Sequence, residues 1–183
     1  MTDDVHADRR GRAAARLREV GADGLVCFPS RNLRYLTGFD AEPSERHFLL
    51  AVPAAGSDGG RRAGKEQNAP ALLVPDLYET QVREETTVAD VRTWADGDEP
   101  VAAVRDLLGD LNLREGRLLV DDAMWATFTQ DLRAAAPDAT WGLASEAVGD
   151  LRARKDDGEL AALREAAAAA DATVRDLREL GAD

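Results

Sequence analysis

Apolar residues recur along this chain in two alternating spacings, one typical of helices and the other of buried strands. Residues 8–20 place Ala13, Leu17 and Val20 on one face of a predicted helix, and Gly21 is a natural end for it. Short apolar runs bounded by turn residues predict strands. The predicted strands cover residues 24–28, 47–53, 71–74, 88–94 and 117–121, with a last strand around Thr140 and Trp141.

Segments with helical spacing separate most of these strands. The predicted helices cover residues 76–85, 99–111, 123–136 and 145–152, with a turn or short helix over 30–38. Strands linked by crossover helices favour a mainly parallel sheet with helices on both faces. Residues 48–74 form a predicted hairpin around a long loop, 54–68, that is rich in glycine and charge. We therefore predict an α/β fold with a mixed, mostly parallel sheet.

The last segment differs from the rest, because residues 156–180 contain no helix breaker after Gly158. Asp156 followed by Glu159 has the spacing of a capping box, which predicts a helix start. One apolar stripe then runs along the helix, formed by Leu160, Leu163, Ala167, Ala170, Val174 and Leu177. A helix with such a stripe packs on something. The expected partner is another chain or a following domain outside this sequence.

Charge narrows the classes of partner. The 183 residues carry 35 acidic and 23 basic side chains, a net charge of -12, which disfavours nucleic acid and anionic membranes. Only Lys65 and Lys155 are lysines, and the acidic, lysine-poor composition predicts a halophilic protein in a salt-rich cytoplasm. A GC-rich genome is the alternative explanation. The N-terminus has no apolar segment, so we expect a cytoplasmic protein without a signal peptide or a membrane span.

The residues that hydrolytic chemistry needs are scarce. His6 and His47 are the two histidines and Cys27 the one cysteine, so a zinc site is not predicted. Asp121 and Asp122 are interpreted as a strand-end turn and helix cap. A glycine-rich stretch ending at Gly64 and Lys65 approaches a phosphate loop, but Glu66 follows where Ser or Thr is needed. A small-molecule-binding α/β domain remains a hypothesis without a phosphate or cofactor motif.

Two stretches resemble the creatinase, prolidase and aminopeptidase P family. Residues 21–26, GADGLV, lead into residues 32–39, NLRYLTGF, which is similar to the family's opening strand and its Tyr-Leu-Thr-Gly-Phe motif. Residues 150–160 and 163–166 resemble the boundary that opens the family's catalytic domain. Arg154 stands where members usually have an isoleucine-type residue, and Asp156 where they have a serine-type cap. Neither departure blocks the start of a helix.

The resemblance implies a creatinase-type N-terminal domain with a ribonuclease H-like fold over residues 1–152. Residues 153–183 would be a linker and the first helix of the catalytic domain. The family is a group of two-metal hydrolases of peptides with proline second, and its two Asp, one His and two Glu ligands belong to that following domain. We therefore expect no cofactor in this chain, two divalent metal ions in the domain that follows, and a homo-oligomer whose N-terminal domain shapes the mouth of the active site.

Three residues are the candidates for lying near a substrate. Residues after the motif turn can reach a neighbouring subunit's active site in this family, which singles out Arg46 and His47. A forked guanidinium suits a substrate carboxylate. Tyr35 belongs to the motif, where packing is the alternative role. A second hypothesis, from another class, is a stand-alone protein–protein interaction module derived from the family; whether the reading frame continues past Asp183 distinguishes the two.

Overall fold

The computed structural model describes residues 5–56 and 69–180, except for the side chains of Glu179 and Leu180. The chain divides into two compact units, Met1–Asp150 and Leu151–Asp183. Residues 57–68, which include most of the predicted hairpin loop and its near phosphate-loop pattern, lie outside the described residues.

The first unit alternates helices and strands as the apolar spacing predicts. Its strands are β1 (Gly24–Cys27), β2 (Leu49–Pro53), β3 (Ala71–Pro75), β4 (Asp90–Trp94), β5 (Glu115–Val120) and β6 (Asp138–Leu143). Its helices are α1 (Val5–Glu19), α2 (Arg31–Thr37), α3 (Glu79–Glu85), α4 (Pro100–Asp110) and α5 (Ala126–Ala135), with a 3-10 turn at Asp76–Tyr78 and a π turn at Ser145–Gly149.

The strands form one mixed sheet in the order β4-β3-β2-β1-β5-β6. β2 runs antiparallel to β1 and to β3, while the β3–β4, β1–β5 and β5–β6 pairs are parallel. The predicted hairpin supplies the β2–β3 pair. The predicted α/β class, with a mixed and mostly parallel sheet, is therefore confirmed.

Both faces of the central strands are buried. Every residue of β1, β2 and β3 is buried, as expected for central strands covered on two sides. One face packs against α4 and α5 through Val26, Leu73, Leu107 and Leu132, which share a hydrophobic cluster. The other face meets α1, which contacts β1 and β2. Helices on both faces of the sheet are thus confirmed.

Two elements begin differently from the prediction. The helix predicted from residue 123 begins at Ala126, because the Met124 N–H bonds the Asp121 carbonyl in a turn and Trp125 is extended. Asp121 and Asp122 therefore do not cap α5, and the interpretation as a helix cap is wrong. The segment predicted as one helix from residue 76 opens with the 3-10 turn before α3 begins at Glu79.

Further along the chain lie α6 (Asp150–Ala153) and α7 (Asp157–Leu180). The predicted capping box opens α7: the Glu159 N–H donates to Asp156 Oδ1 at 2.8 Å, and the Asp156 N–H donates to Glu159 Oε2 at 3.0 Å. These two bonds satisfy backbone donors that have no partner within a helix. The long C-terminal helix is therefore confirmed.

Changing Gly38 to alanine is expected to lower the free energy of unfolding by about 2 kcal/mol. Gly38 ends α2 with a φ of 82°, and a Cβ there would lie 2.8 Å from His6 Nε2. Gly11→Ala is the matched control, since a Cβ on this α1 residue meets nothing within 4 Å. That control is expected to raise stability by about 0.5–1 kcal/mol. Equal urea midpoints for the two variants would contradict the prediction.

Candidate functional site

The candidate site lies at one edge of the sheet, where five of the strands have their carboxyl ends. The antiparallel pairing of Cys27 with Leu50 places the start of β2 beside the end of β1. The parallel pairing of Pro75 with Trp94 places the ends of β3 and β4 together at the same edge. Open α/β sheets bind ligands outside the carboxyl ends of their strands. We call this edge, with the chain segments that adjoin it, the carboxyl edge.

A buried carboxylate organises the first part of this edge. Asp121, directly after β5, is only 3% exposed. Its Oδ2 accepts from the Phe28 N–H at 2.9 Å and from the Ser30 hydroxyl at 2.8 Å, and its Oδ1 accepts from the Asn32 side-chain amide. Burial raises the pKa of Asp121, although these three hydrogen bonds oppose the rise. The carboxylate thus ties the chain after β1 to the end of β5.

Helix α2, which carries Tyr35, is fixed at both ends. Ser30 Oγ accepts from the Asn32 and Leu33 N–H groups at 3.2 Å each, which caps its start. At its other end, the Gly38 N–H donates to the Arg34 carbonyl at 2.8 Å. The conformation of the Tyr-Leu-Thr-Gly-Phe motif is therefore that of a short capped helix and its left-handed end.

Tyr35 is buried against α1. Tyr35 is 8% exposed, and the Arg9 guanidinium carbon lies 4.3 Å from the centroid of its ring. His6 Nδ1 lies 3.0 Å from the Tyr35 carbonyl oxygen, and Arg10 Nη1 donates to the Leu36 carbonyl at 2.8 Å. The Arg9 and Arg10 guanidinium groups thus lie at carbonyls of the C-terminal end of α2, where the helix dipole favours cations.

The loop between α2 and β2 is closed at its base by two aromatic rings. Phe39 and Phe48 stack with their centroids 5.4 Å apart and their planes 11° apart. Phe48 also meets the edge of Tyr78 at 5.6 Å. Offset aromatic stacking holds such a pair in one arrangement. The loop over residues 40–47 therefore starts and ends at a fixed point on the carboxyl edge.

Arg46 lies on this loop and is partly exposed. Its Nη2 makes an ion pair with Asp96 Oδ2 at 2.9 Å, and its side chain keeps 31% of its surface exposed. Asp96 follows β4 by two residues, and its side chain is 64% exposed. An exposed ion pair contributes little to stability. Asp96 therefore orients the Arg46 guanidinium through an ion pair that costs little free energy to break.

His47, the next residue, is buried and bonded on two sides. Its Nε2 lies 3.0 Å from Asp131 Oδ2 on α5, and the Trp94 indole N–H donates to the His47 carbonyl at 2.8 Å. The imidazole also meets the edges of Phe128 at 4.8 Å and Trp94 at 6.2 Å. A carboxylate only accepts hydrogen bonds, so the proton of the neutral ring belongs on Nε2. His47 joins the start of β2 to α5 and to the end of β4.

Acid is expected to destabilise the fold through His47. Burial lowers the pKa of His47, and Asp131 opposes the change only in part. The unfolded chain then takes up this proton at a higher pH than the folded chain does. The contribution of neutral His47 to the free energy of unfolding is fully present above the pKa of an unfolded histidine, about 6.5. It is lost as the pH falls toward the folded pKa.

Urea midpoints at about pH 7.5 and about pH 5.5 check this expectation. The wild-type midpoint should fall more than that of His47→Gln, which has no group titrating in this window at the same position. Because each protein is compared with itself, the loss of stability that the substitution causes does not affect the comparison. Equal falls in the two proteins would assign the acid sensitivity elsewhere.

The structure places Arg46 and His47 side by side at the carboxyl edge, while Tyr35 lies in α2 against α1. Sequence reasoning missed four residues that hold this part of the edge together: Trp94, Asp96, Phe128 and Asp131. None of the four was among the predicted site residues, because their partners lie far away along the chain.

The described residues contain neither a metal-binding cluster nor a membrane-spanning helix. Residues 5–56 and 69–180 hold no group of three or more His, Cys, Asp and Glu side chains that could bind a metal ion. Within the same ranges, no helix is long and apolar enough to cross a membrane. The resemblance implies the two metal ions for the following domain and not for this chain.

The sequence profile of the creatinase/prolidase N-terminal domain matches residues 9–154. This chain belongs to that family. The match begins within α1 and ends just after α6, so it includes Arg46, His47 and Asp121.

Several relatives in this family are dipeptidases or prolidases. The probable dipeptidase PepE of Mycobacterium tuberculosis is 35% identical over 172 residues, which are 92% of this chain and 41% of the relative. The crystal structure of a dipeptidase from Pyrococcus horikoshii has a TM-score of 0.80 at 29% identity, over 93% of this chain and 44% of that one. A prolidase from Thermococcus sibiricus gives 0.81 at 26% identity, over 95% and 44%. The chain thus spans less than half the length of these relatives.

Proposed function

We propose that this chain is the N-terminal, non-catalytic domain of a metal-dependent dipeptidase that cleaves dipeptides with proline second. The observation that carries the proposal is the family match over residues 9–154, joined to relatives whose chains are more than twice as long. The described residues offer no metal site, so the two metal ions and the hydrolysis belong to the remainder of the enzyme. Residues 153–183 would then lead into that remainder, and the apolar stripe of α7 would pack on it.

Activity of the short chain and of the longer reading frame tests this assignment. We expect no hydrolysis of Xaa-Pro dipeptides by the 183-residue chain with Mn²⁺, Co²⁺ or Zn²⁺. A protein that continues past Asp183 should hydrolyse them and lose activity in a chelator. Turnover by the short chain that survives repurification would contradict the assignment. A stop codon directly after Asp183 would favour the stand-alone interaction module.

Within that enzyme, we propose that Arg46 binds the carboxylate of a substrate held in a neighbouring subunit's active site. Support comes from its partly exposed guanidinium at the carboxyl edge and from its exposed counterion, Asp96. A guanidinium fork can bind a carboxylate through two parallel hydrogen bonds. Tyr35 and His47 are buried, so we propose that they shape the edge beneath Arg46 and do not touch the substrate. The enzyme would therefore be a homo-oligomer, with a dimer as the smallest form.

Kinetics of the longer enzyme test the role of Arg46. Arg46→Ala is expected to lower kcat/KM about 100-fold for an Xaa-Pro dipeptide and much less for the same dipeptide with a C-terminal amide. Arg34→Ala is the matched control, because this arginine is also exposed and paired with a nearby aspartate, Asp40, at 2.8 Å. Equal losses on the acid and the amide would remove the carboxylate from the proposal.

Mixing subunits tests whether Arg46 acts on a neighbour. Arg46→Ala subunits are combined with subunits whose metal ligands are substituted, after partial dissociation. If Arg46 acts across the interface, mixed oligomers contain a complete site, and kcat/KM rises above the values for both parents. If Arg46 acts in its own subunit, no complete site forms and the mixture stays at the parental average.

We also propose that the acidic composition suits a salt-rich cytoplasm. The net charge of -12 repels itself over a Debye length of about 10 Å at 0.1 M salt but only about 3 Å at 1 M. The melting temperature of the chain is therefore expected to rise as KCl goes from about 0.1 M to about 1 M. A flat melting temperature over this range would favour a GC-rich genome as the cause of the composition.

A further inference from the structure

Arg46 and its counterion Asp96 belong to different segments that one hydrogen bond brings together. Arg46 directly precedes His47, and Asp96 lies two residues after Trp94. The Trp94 indole N–H donates to the His47 carbonyl at 2.8 Å, and this bond is buried. It therefore fixes the two backbones that carry the ion pair, at one residue from Arg46 and two from Asp96.

A second contact keeps the His47 end of that bond in place. His47 Nε2 bonds Asp131 Oδ2 on α5 at 3.0 Å, and the ring lies edge-on to Phe128 at 4.8 Å. The His47 side chain is 6% exposed, so water competes little for these contacts. The backbone at residue 47 is thus held from β4 on one side and from α5 on the other.

Besides supporting the fold, these contacts limit the directions open to the neighbouring side chain. The segment over residues 40–47 has no strand or helix of its own, and the Arg46 side chain near its end is partly exposed. A side chain on such a segment would sample several positions without fixed neighbours, and a misplacement of about 1 Å costs up to about 100-fold in rate. The contacts of residue 47 remove that freedom at the position next to the guanidinium.

We propose that Trp94, His47 and Asp131 are positioning residues that aim Arg46. The proposal rests on the proposed function of Arg46, and it assigns the three residues no contact with the substrate. Their effect on turnover passes through the guanidinium. Asp96 completes the arrangement: its ion pair orients the Arg46 guanidinium until a substrate carboxylate replaces it.

A double-mutant cycle in the longer enzyme separates positioning from general support of the fold. Trp94→Phe removes the indole donor and keeps an aromatic ring. It is expected to lower kcat/KM about tenfold in the wild-type background and less than about twofold when Arg46 is already alanine. Equal losses in the two backgrounds would overturn the proposal, because a merely structural defect does not depend on Arg46. Trp125→Phe is the matched control, since Trp125 is 46% exposed and no described bond joins it to His47.

Asp131→Asn gives the same test by a gentler change, should Trp94→Phe fail to fold. The amide keeps the size of the side chain and loses the charge. Asp131→Asn is again expected to lower kcat/KM more in the wild-type background than in the Arg46→Ala background. Equal losses in the two backgrounds would overturn the proposal.

NMR of the 183-residue chain provides a readout that needs no activity. The Nε–H resonance of Arg46 is expected to move to the position of a freely rotating arginine in Trp94→Phe and to stay in place in Trp125→Phe. An unmoved resonance in a folded Trp94→Phe chain would overturn the proposal. If the resonance moves and Arg46→Ala leaves kcat/KM unchanged, positioning stands and the carboxylate-binding role fails.

Discussion

Replacing Phe128 with alanine is expected to lower the free energy of unfolding by about 4 kcal/mol. Phe128 is 2% exposed, and its ring lies 4.8 Å from His47, 5.8 Å from Trp125 and 6.3 Å from Phe28. Truncation opens a cavity where α5 meets the sheet and removes three aromatic contacts. The cavity adds to the loss of buried area, because the rings around it relax only partly.

Trp125→Ala is the control for that variant. Trp125 stacks on Phe128 but is 46% exposed, so its loss is expected to cost no more than about 1 kcal/mol. Urea unfolding at pH 7 checks both values. An unchanged slope of the transition would show that the substitution has not altered the unfolded state. A loss of stability below that of Trp125→Ala would mean that Phe128 is not the packing centre of this edge.

Replacing Asp121 with alanine is expected to lower the free energy of unfolding by about 3 kcal/mol. Three donors then lose their acceptor: the Phe28 N–H, the Ser30 hydroxyl and the Asn32 amide. The change also removes a buried charge whose pKa is raised by burial, which offsets part of the cost. The net effect remains a loss, because buried donors without partners are expensive.

Two further variants serve as controls for Asp121→Ala. Asp121→Asn keeps an acceptor oxygen for Phe28 and Ser30, so it should cost about half as much or less. Asp122→Ala changes the neighbouring carboxylate, which is exposed and accepts from Ser145 at 3.0 Å, and should cost under about 1 kcal/mol. Similar losses for Asp121→Ala and Asp122→Ala would show that the buried network does not carry the stability.

Asp121→Ala and Phe128→Ala probe different halves of the carboxyl edge. Asp121 holds the capped start of α2, and Phe128 supports the His47 end of the loop that carries Arg46. A segment without its own secondary structure keeps one arrangement only when fixed elements hold both of its ends. We therefore expect Phe128→Ala and Asp121→Ala to disturb the position of Arg46 in the longer enzyme, in addition to lowering the free energy of unfolding.

Local patterns in the sequence were sufficient for much of the architecture. The helical and strand spacings predicted the order of elements, because a side chain's face follows from its position within one turn or one pleat. The capping box at Asp156 and Glu159 and the glycine end of α2 were predictable for the same reason: each involves residues within four positions of one another. Family membership also followed from short motifs.

Side-chain roles at the carboxyl edge were not predictable in this way. His47 was a substrate-side candidate by its place after the motif, and the structure places it in the core between α5 and β4. Asp121 was interpreted as a local cap, and it bonds residues 89 to 93 positions away. The role of Arg46 stays a prediction, and the structure adds that its side chain is partly exposed and paired with Asp96.

The sequence by itself determined the fold class, the family and the start of the last helix, since each depends on spacing or on contiguous motifs. Only the tertiary structure decided which polar residues meet. The order β4-β3-β2-β1-β5-β6 brings the ends of β1 and β5 together and sets β4 near the start of β2. Hydrogen bonds such as His47–Asp131 and Trp94–His47 join residues that this order makes neighbours, and no local preference encodes them.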